Sequence, residues 1–395
     1  MTKKNILLFL ISTTAIIIII NFYFFVTEKS LSQYADWLIN YQGGFVRRGL
    51  IGEFFFQLYK ITTIRLDFII FFLVSFFYIF FFKNFYEIIK NVKFNLINFL
   101  IIFAPFSFFY PVMEEKVSGR KDILFLFLLS FLCIYLKKIN FFNQKYLIII
   151  FSIILIFSHT GFLFFLPNFI ILFLLINNSK KLSLLFKETT LIILSILISI
   201  FIIYFNKSIS YDNILLICES VTNFVRSDCA SNGYISTLSW SLEYNLLLKD
   251  KLWIADNYNI FFLKAFIFGF IPFVITLFFS KIIKHPRINI FIIFFINFIL
   301  SLPLYYMGSD YGRYMNISYL SMIMIYFHSI NEKIIITDFP KINFFKKTNL
   351  NYALVVIIVF LYGFTFTIPH CCNNKFKFVY SNLIEKIIEK IEQKN

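Results

Sequence analysis

Charge is scarce in this chain of 395 residues: charged side chains make up 15% of it, against 59% hydrophobic. So little polar surface cannot cover a body folded in water, which excludes a soluble globular protein. The mean hydropathy of +0.80 agrees. No hydrophilic stretch is long enough to form a separate domain, and no internal repeat is present. Glycine is sparse (11 residues) beside 60 phenylalanines, and arginine is rarer than lysine, so a cluster of either type is informative. The net charge of +16 invites a nucleic-acid reading. On a membrane chain, however, charge must first be sorted by side. No nucleic-acid partner is expected.

A helix crossing a bilayer needs about 20 mostly apolar residues. Eleven stretches meet or approach that length, near 5–26, 66–82, 95–112, 122–136, 146–158, 161–177, 189–205, 258–280, 288–307, 314–330 and 351–369. The expected fold is therefore all-α and polytopic, one transmembrane domain over 1–395. The first stretch follows Lys3 and Lys4 and has no small-residue cleavage site, so it reads as a retained anchor. With the N-terminus cytoplasmic, the inward segments hold 18 basic and four acidic residues, and the outward ones 19 and 17. That asymmetry follows the positive-inside rule, places the C-terminus outside and fits a bacterial inner membrane. The inward loops are otherwise bland, mostly Lys, Asn and apolar residues.

The outward segments carry the chemistry. Residues 27–65 contain Asp36 and then Gly43-Gly44-Phe45-Val46-Arg47-Arg48-Gly49, with Gly52 and Glu53 close behind. Glycines let backbone amides approach an anion, and paired guanidinium groups grip phosphate oxygens in two places. The same pattern without that function would be a lipid-headgroup anchor. Leu50–Tyr59 reads as a helix lying in the interface. Residues 113–122 hold six charges, including Arg120, Lys121 and Asp122, and read equally as a solvated hairpin tip or a second phosphate site. His159 sits between two apolar helices with almost no loop, where a polar group is costly unless it works or is paired. Pro167 then kinks the next helix, which would open a cavity beside it. Residues 206–257 form the longest outward loop, a lid or a structural cap, with a possible disulfide between Cys218 and Cys229; Cys371 and Cys372 compete as partners. Asp310-Tyr311-Gly312-Arg313 repeats the chemistry of the first loop at another helix mouth. The tail, 370–395, opens on His370-Cys371-Cys372; one histidine and two vicinal thiols lack a fourth ligand, so no metal or other cofactor is expected.

Polar groups at the outer mouths, over nearly charge-free spans, suit a substrate with an anionic head and a tail in the lipid. Glycosyl transfer from a polyprenyl diphosphate needs cations for the departing diphosphate and a base for the attacking hydroxyl. Arg47, Arg48, Arg313 and Arg120, with Gly43 and Gly44, suit the first task; His159, Asp36 or Asp310 the second. In its span count and in the Gly43–Gly49 and Asp310–Arg313 segments the chain resembles Wzy-type O-antigen and capsule repeat-unit polymerases. More broadly it is similar to GT-C-like lipid-dependent membrane glycosyltransferases. The likeness covers the whole chain loosely and its motifs about twenty residues. It implies outward-facing arginines, matched by Arg47, Arg48 and Arg313, and an acid in the first outward loop, matched by Asp36. Implied partners are a polyprenyl-diphosphate-linked oligosaccharide, membrane lipids and other polysaccharide-assembly proteins. The chain departs from the polymerases in its large loop, which holds only Arg226. That leaves open a single-sugar transferase, or a flippase or exporter of the same lipid-linked sugars.

Overall fold

A computed structural model describes residues 3–92, 96–205, 209–256, 258–283, 285–337, 357–359, 361–363, 366–371 and 377–378. The helices run in chain order α1 (Lys3–Thr27), α2 (Leu50–Thr62), α3 (Leu66–Ile89), α4 (Leu96–Ile102), α5 (Tyr110–Met113), α6 (Asp122–Tyr135), α7 (Phe141–Ser158) and α8 (Pro167–Ile176). Then follow α9 (Leu182–Phe205), α10 (Tyr211–Ser220), α11 (Gly233–Ser236), α12 (Leu242–Asp256), α13 (Tyr258–Phe278), α14 (Ile290–Met307) and α15 (Tyr311–Asn331). The protein is a helical membrane protein. Among the described residues, six helices are long and apolar enough to cross a bilayer: those in α1, α3, α7, α9, α13 and α14. Their outer faces bare Ile16, Phe72, Leu197 and Ile271, side chains that suit lipid.

The other expected spans take different forms. Stretch 122–136 is the shorter α6, and 161–177 is a 3-10 segment, Thr160–Phe165, leading into α8. Stretch 351–369 is described only in pieces, 357–359, 361–363 and 366–369, and most of the tail lies outside the described residues. Stretch 314–330 belongs to α15, which is buried from Tyr311 to Ser329 and forms the axis of the molecule. Stretch 95–112 is broken. Pro105 disfavours helical geometry at Ala104, and α4 stops at Ile102. Backbone freed inside a membrane must find other partners. α15 supplies them: Asn316 Nδ2 donates to the Phe106 and Ser107 carbonyls (2.7 and 3.2 Å), and Tyr319 to that of Ile101 (2.6 Å). Polar positions on the most buried helix thus stabilise its broken neighbour.

The expectation of a purely helical chain also needs amending. At one end of the bundle β1 (Ser280–Ile282), β2 (His285–Asn289) and β3 (Ile335–Thr337) form an antiparallel sheet in the order β2-β1-β3. At that end Lys145 also pairs with Glu188 at 2.6 Å. The opposite end gathers the segments rich in Arg and Asp. There Cys218 and Cys229 are joined, with Cα atoms 6.1 Å apart, which resolves the open question of their pairing. The α10–α11 region covers the first loop: Tyr234 N donates to the Leu31 carbonyl (2.8 Å), Lys29 Nζ to that of Asn223 (2.9 Å), and Asn40 Nδ2 to Ser220 Oγ (2.9 Å).

Candidate functional site

Asp36 rides on a buried 3-10 turn, Ala35–Leu38. Its neighbour Trp37 fixes the turn, donating from Nε1 to the Gly119 carbonyl (2.7 Å) and packing on Phe55 and Phe77. Gly119 has φ +76° and lies against Phe22, a conformation and an approach that a Cβ would forbid. That turn sends Arg120, Lys121 and Asp122 inward, all at most 5% exposed. The solvated-tip reading of 113–122 is therefore wrong at its C-terminal half. Lys121 Nζ donates to the carbonyls of Arg48 (3.0 Å) and Ser158 (3.3 Å), joining three segments, and stands 3.5 Å from Asp36 Oδ1. Burial pushes the Lys121 ammonium down to about 8, against the pull of Asp36. Among the described residues neither Asp36 oxygen accepts a hydrogen bond. A buried carboxylate so poorly satisfied is costly, and such groups mark functional sites.

Arg313, from the first turn of α15, locks the cluster. Its Nε and Nη2 form a fork on Asp122 (2.5 and 2.9 Å), and Nη1 reaches Asp310 Oδ2 (2.8 Å). This corrects two expectations. The Arg313 fork is filled by carboxylates, so the residue pins α15 to α6 instead of clamping a phosphate. Asp310 is a poor base: burial alone would raise its carboxyl, but Arg313 and Arg120 outweigh burial and hold it below the usual range. Arg313→Lys should therefore act on the fold. Losing the bidentate contact in a buried site is expected to cost about 3–5 kcal/mol, the scale for breaking a buried pair. Thermal unfolding in detergent checks this; an unchanged midpoint would count against the pinning role.

The unpaired cations are Arg48 and Arg120, with Arg47 beside them. Arg48 Nε and Nη1, Arg120 Nη1 and Arg47 Nε are sealed from solvent and lack a hydrogen-bond partner among the described residues. Arg120 keeps one bond, from Nε to the Lys116 carbonyl (3.1 Å), and its guanidinium lies 4.4 Å from the centre of the Tyr234 ring. Arg47 donates from Nη2 to the Thr237 carbonyl at 3.4 Å. Burial lowers all three, Arg47 to about 10 with Arg48 adding to the effect; the Arg313 charge adds to it at Arg48 and Arg120. Arg48, Arg120, Lys121 and Arg313 thus face Asp36, Asp122 and Asp310, with Arg47 beside Arg48, a cluster with cations in excess. An anion would satisfy the idle nitrogens.

His159 stands at the wall of this cluster, 7% exposed. Its Nδ1 accepts from the Gly161 amide (3.1 Å), and its Nε2 faces Arg313 Nη2 at 3.5 Å. Burial, then the charges of Arg48 and Arg313, push the imidazole well below its usual range, so it is neutral. With Nδ1 accepting, a neutral ring carries its proton on Nε2, so the 3.5 Å approach of Arg313 is a meeting of two donors and not a hydrogen bond. His159 is thereby a donor, which corrects its expected role as base. Gly43 and Gly44 also change role. A Cβ on Gly43 would strike the Asn213 carbonyl, whose side chain in turn donates to the Gly43 carbonyl; Gly44 N donates to Tyr41 O within a turn. These glycines admit α10 to the first loop and do not cradle phosphate.

By sequence Lys121 is only a companion of Arg120 in a second phosphate site, and no role falls to Asp122 or Tyr234. The available signal was Arg120-Lys121-Asp122 placed directly before an apolar helix, which reads equally as a surface turn. Between α8, α9 and α14 lies an apolar cavity of about 510 Å³, lined among others by Leu163, Phe164, Pro167, Ile196, Ile293 and Leu300. Pro167 is one of its lining residues, whereas His159, beside which a cavity was expected, is not. Comparison with protein-family models, curated proteins and solved structures finds no match for the chain.

Proposed function

We propose that this chain is a membrane glycosyltransferase that takes polyprenyl-diphosphate-linked sugars at the arginine-rich end of the bundle. Its most specific form is a polymerase of O-antigen or capsule repeat units at the periplasmic face of a bacterial inner membrane. The observation that carries the reading is the set of buried, unpaired guanidinium nitrogens on Arg48 and Arg120 around the unsatisfied Asp36 carboxylate. In the step proposed, an acceptor hydroxyl attacks the anomeric carbon and passes its proton to Asp36. The glycosidic C–O bond breaks and the diphosphate leaves with the electron pair, its charge met by Arg48, Arg120 and Arg47. His159 donates from Nε2 to a diphosphate oxygen. The apolar cavity between α8, α9 and α14 suits a prenyl tail.

Eleven spans with a cytoplasmic N-terminus would put this end outside. Reporter fusions at positions 45, 230 and 375 should then read periplasmic and those at 90, 180 and 340 cytoplasmic; a cytoplasmic signal at 230 would overturn the assignment. A single-sugar transferase is the second reading, favoured by one observation: Arg226, the sole arginine of the large loop, is exposed and spent on Asp228 at 3.2 Å. Deleting the gene and resolving the surface polysaccharide on a gel separates the cases. Single repeats in place of a ladder mean polymerase, and a truncated repeat means transferase. Complete loss of surface polysaccharide would point to a flippase and contradict the enzymatic reading.

A further inference from the structure

A second constellation lies on the rim of the cluster, where segment 366–371 meets the start of α15. The Gly312 amide donates to the His370 carbonyl at 3.0 Å, and a Cβ at Gly312 would strike the Pro369 carbonyl, so this segment is seated closely. We infer that Asp310, His370 and Cys371 form a binding site for one divalent ion of the zinc class, with three protein ligands and an open fourth position.

One ligand atom from each of the three residues lies within 4.8 Å of the others. Metal bonds of about 2.0 Å to nitrogen and 2.3 Å to sulfur, at tetrahedral angles, set those two atoms about 3.5 Å apart. His370 Nε2 and Cys371 Sγ are 3.3 Å apart. The other ring nitrogen of His370, Nδ1, faces Glu114 Oε1 at 3.2 Å. A carboxylate behind a metal-binding histidine fixes its ring and raises its basicity, and this is the arrangement seen here. Asp310 gives Oδ2 to Arg313, which leaves Oδ1 for the ion.

An independent observation points the same way. Tyr110 is fully buried, and its hydroxyl has no hydrogen-bond partner among the described residues. A Cβ on Gly312 would strike this hydroxyl, so it sits where α15 meets the 366–371 segment, within electrostatic reach of Glu114, Asp310, Cys371 and Tyr258. A metal-bound carboxylate or water would satisfy it. A thiol–imidazole hydrogen bond between Cys371 and His370 would still leave the buried Tyr110 hydroxyl without a partner among the described residues. One carboxylate and one thiolate neutralise a dication, and Glu114 offsets the nearby arginines. The mixed sulfur, nitrogen and oxygen set favours zinc over magnesium or calcium.

The site does not depend on the proposed transferase activity, and its test does not read activity. The full chain, purified in detergent with its affinity tag removed and stripped of metal, would be titrated with Co²⁺. Uptake of one Co²⁺ per chain is expected, with a thiolate-to-cobalt charge-transfer band and displacement by Zn²⁺. Cys371→Ser should abolish that band, and Cys372→Ser should keep it. Glu114→Gln should weaken affinity about 10- to 100-fold while the protein remains monodisperse. Absence of saturable uptake by the wild type would overturn the inference, as would a band that survives in Cys371→Ser.

Discussion

Replacing Arg48 by Lys should cut glycosyl transfer by about 10²–10³-fold, the usual effect of removing one preorganised donor to a developing anion. Expression and membrane insertion should not change, because Arg48 Nε and Nη1 support no other part of the fold among the described residues. Lysine keeps the charge but loses the planar fork that holds two phosphate oxygens at once. Arg120→Lys should behave alike, with an added loss of the contact to the Tyr234 ring. Arg313 makes the informative contrast. Its fork is already occupied by Asp122, so its Lys variant should lose stability first and activity as a consequence. A headgroup anchor would tolerate lysine at Arg48 and Arg120; normal polysaccharide from both variants would remove the catalytic reading.

Asp36→Asn should lower the rate by about 10²–10⁴-fold, the range for a lost general base. The change keeps shape and burial, so a purely structural Asp36 would show its loss in unfolding and not in turnover. His159→Gln should cost much less, since a Gln amide still donates and no base is removed. The pH profile should carry the mark of Lys121. Burial places that ammonium at about 8, so it is charged below that pH and neutral above it. Its charge draws the diphosphate and balances Asp36, and kcat/KM should therefore fall as pH rises through about 8. A rate that stays flat from pH 7 to 9 would contradict this role.

Membrane character was legible because apolar stretches of bilayer length are their own signal. What stayed hidden were helices whose polar residues serve neighbours. Asn316 and Tyr319 look like breaks in a hydrophobic span, yet they satisfy the backbone that Pro105 releases. The convergence of Asp36, Arg48, Arg120 and His159 was legible as chemistry, because rare charged and glycine-rich segments stand out from the apolar stretches between them. Partner choice was not. Arg48 and Arg313 are indistinguishable as letters, and only the position of Asp122 one helix away shows which fork is free. Gly43 and Gly44 misled for the same reason, since a glycine that admits a helix and one that admits a phosphate read alike.

The most direct measurement is the binding of a polyprenyl diphosphate to the purified chain, compared with the monophosphate and with phosphatidylglycerol. The wild type should prefer the diphosphate, and the Arg48→Lys, Arg120→Lys double variant should lose that preference by tenfold or more. Equal binding of all three lipids, or an unchanged preference in the double variant, would contradict the account.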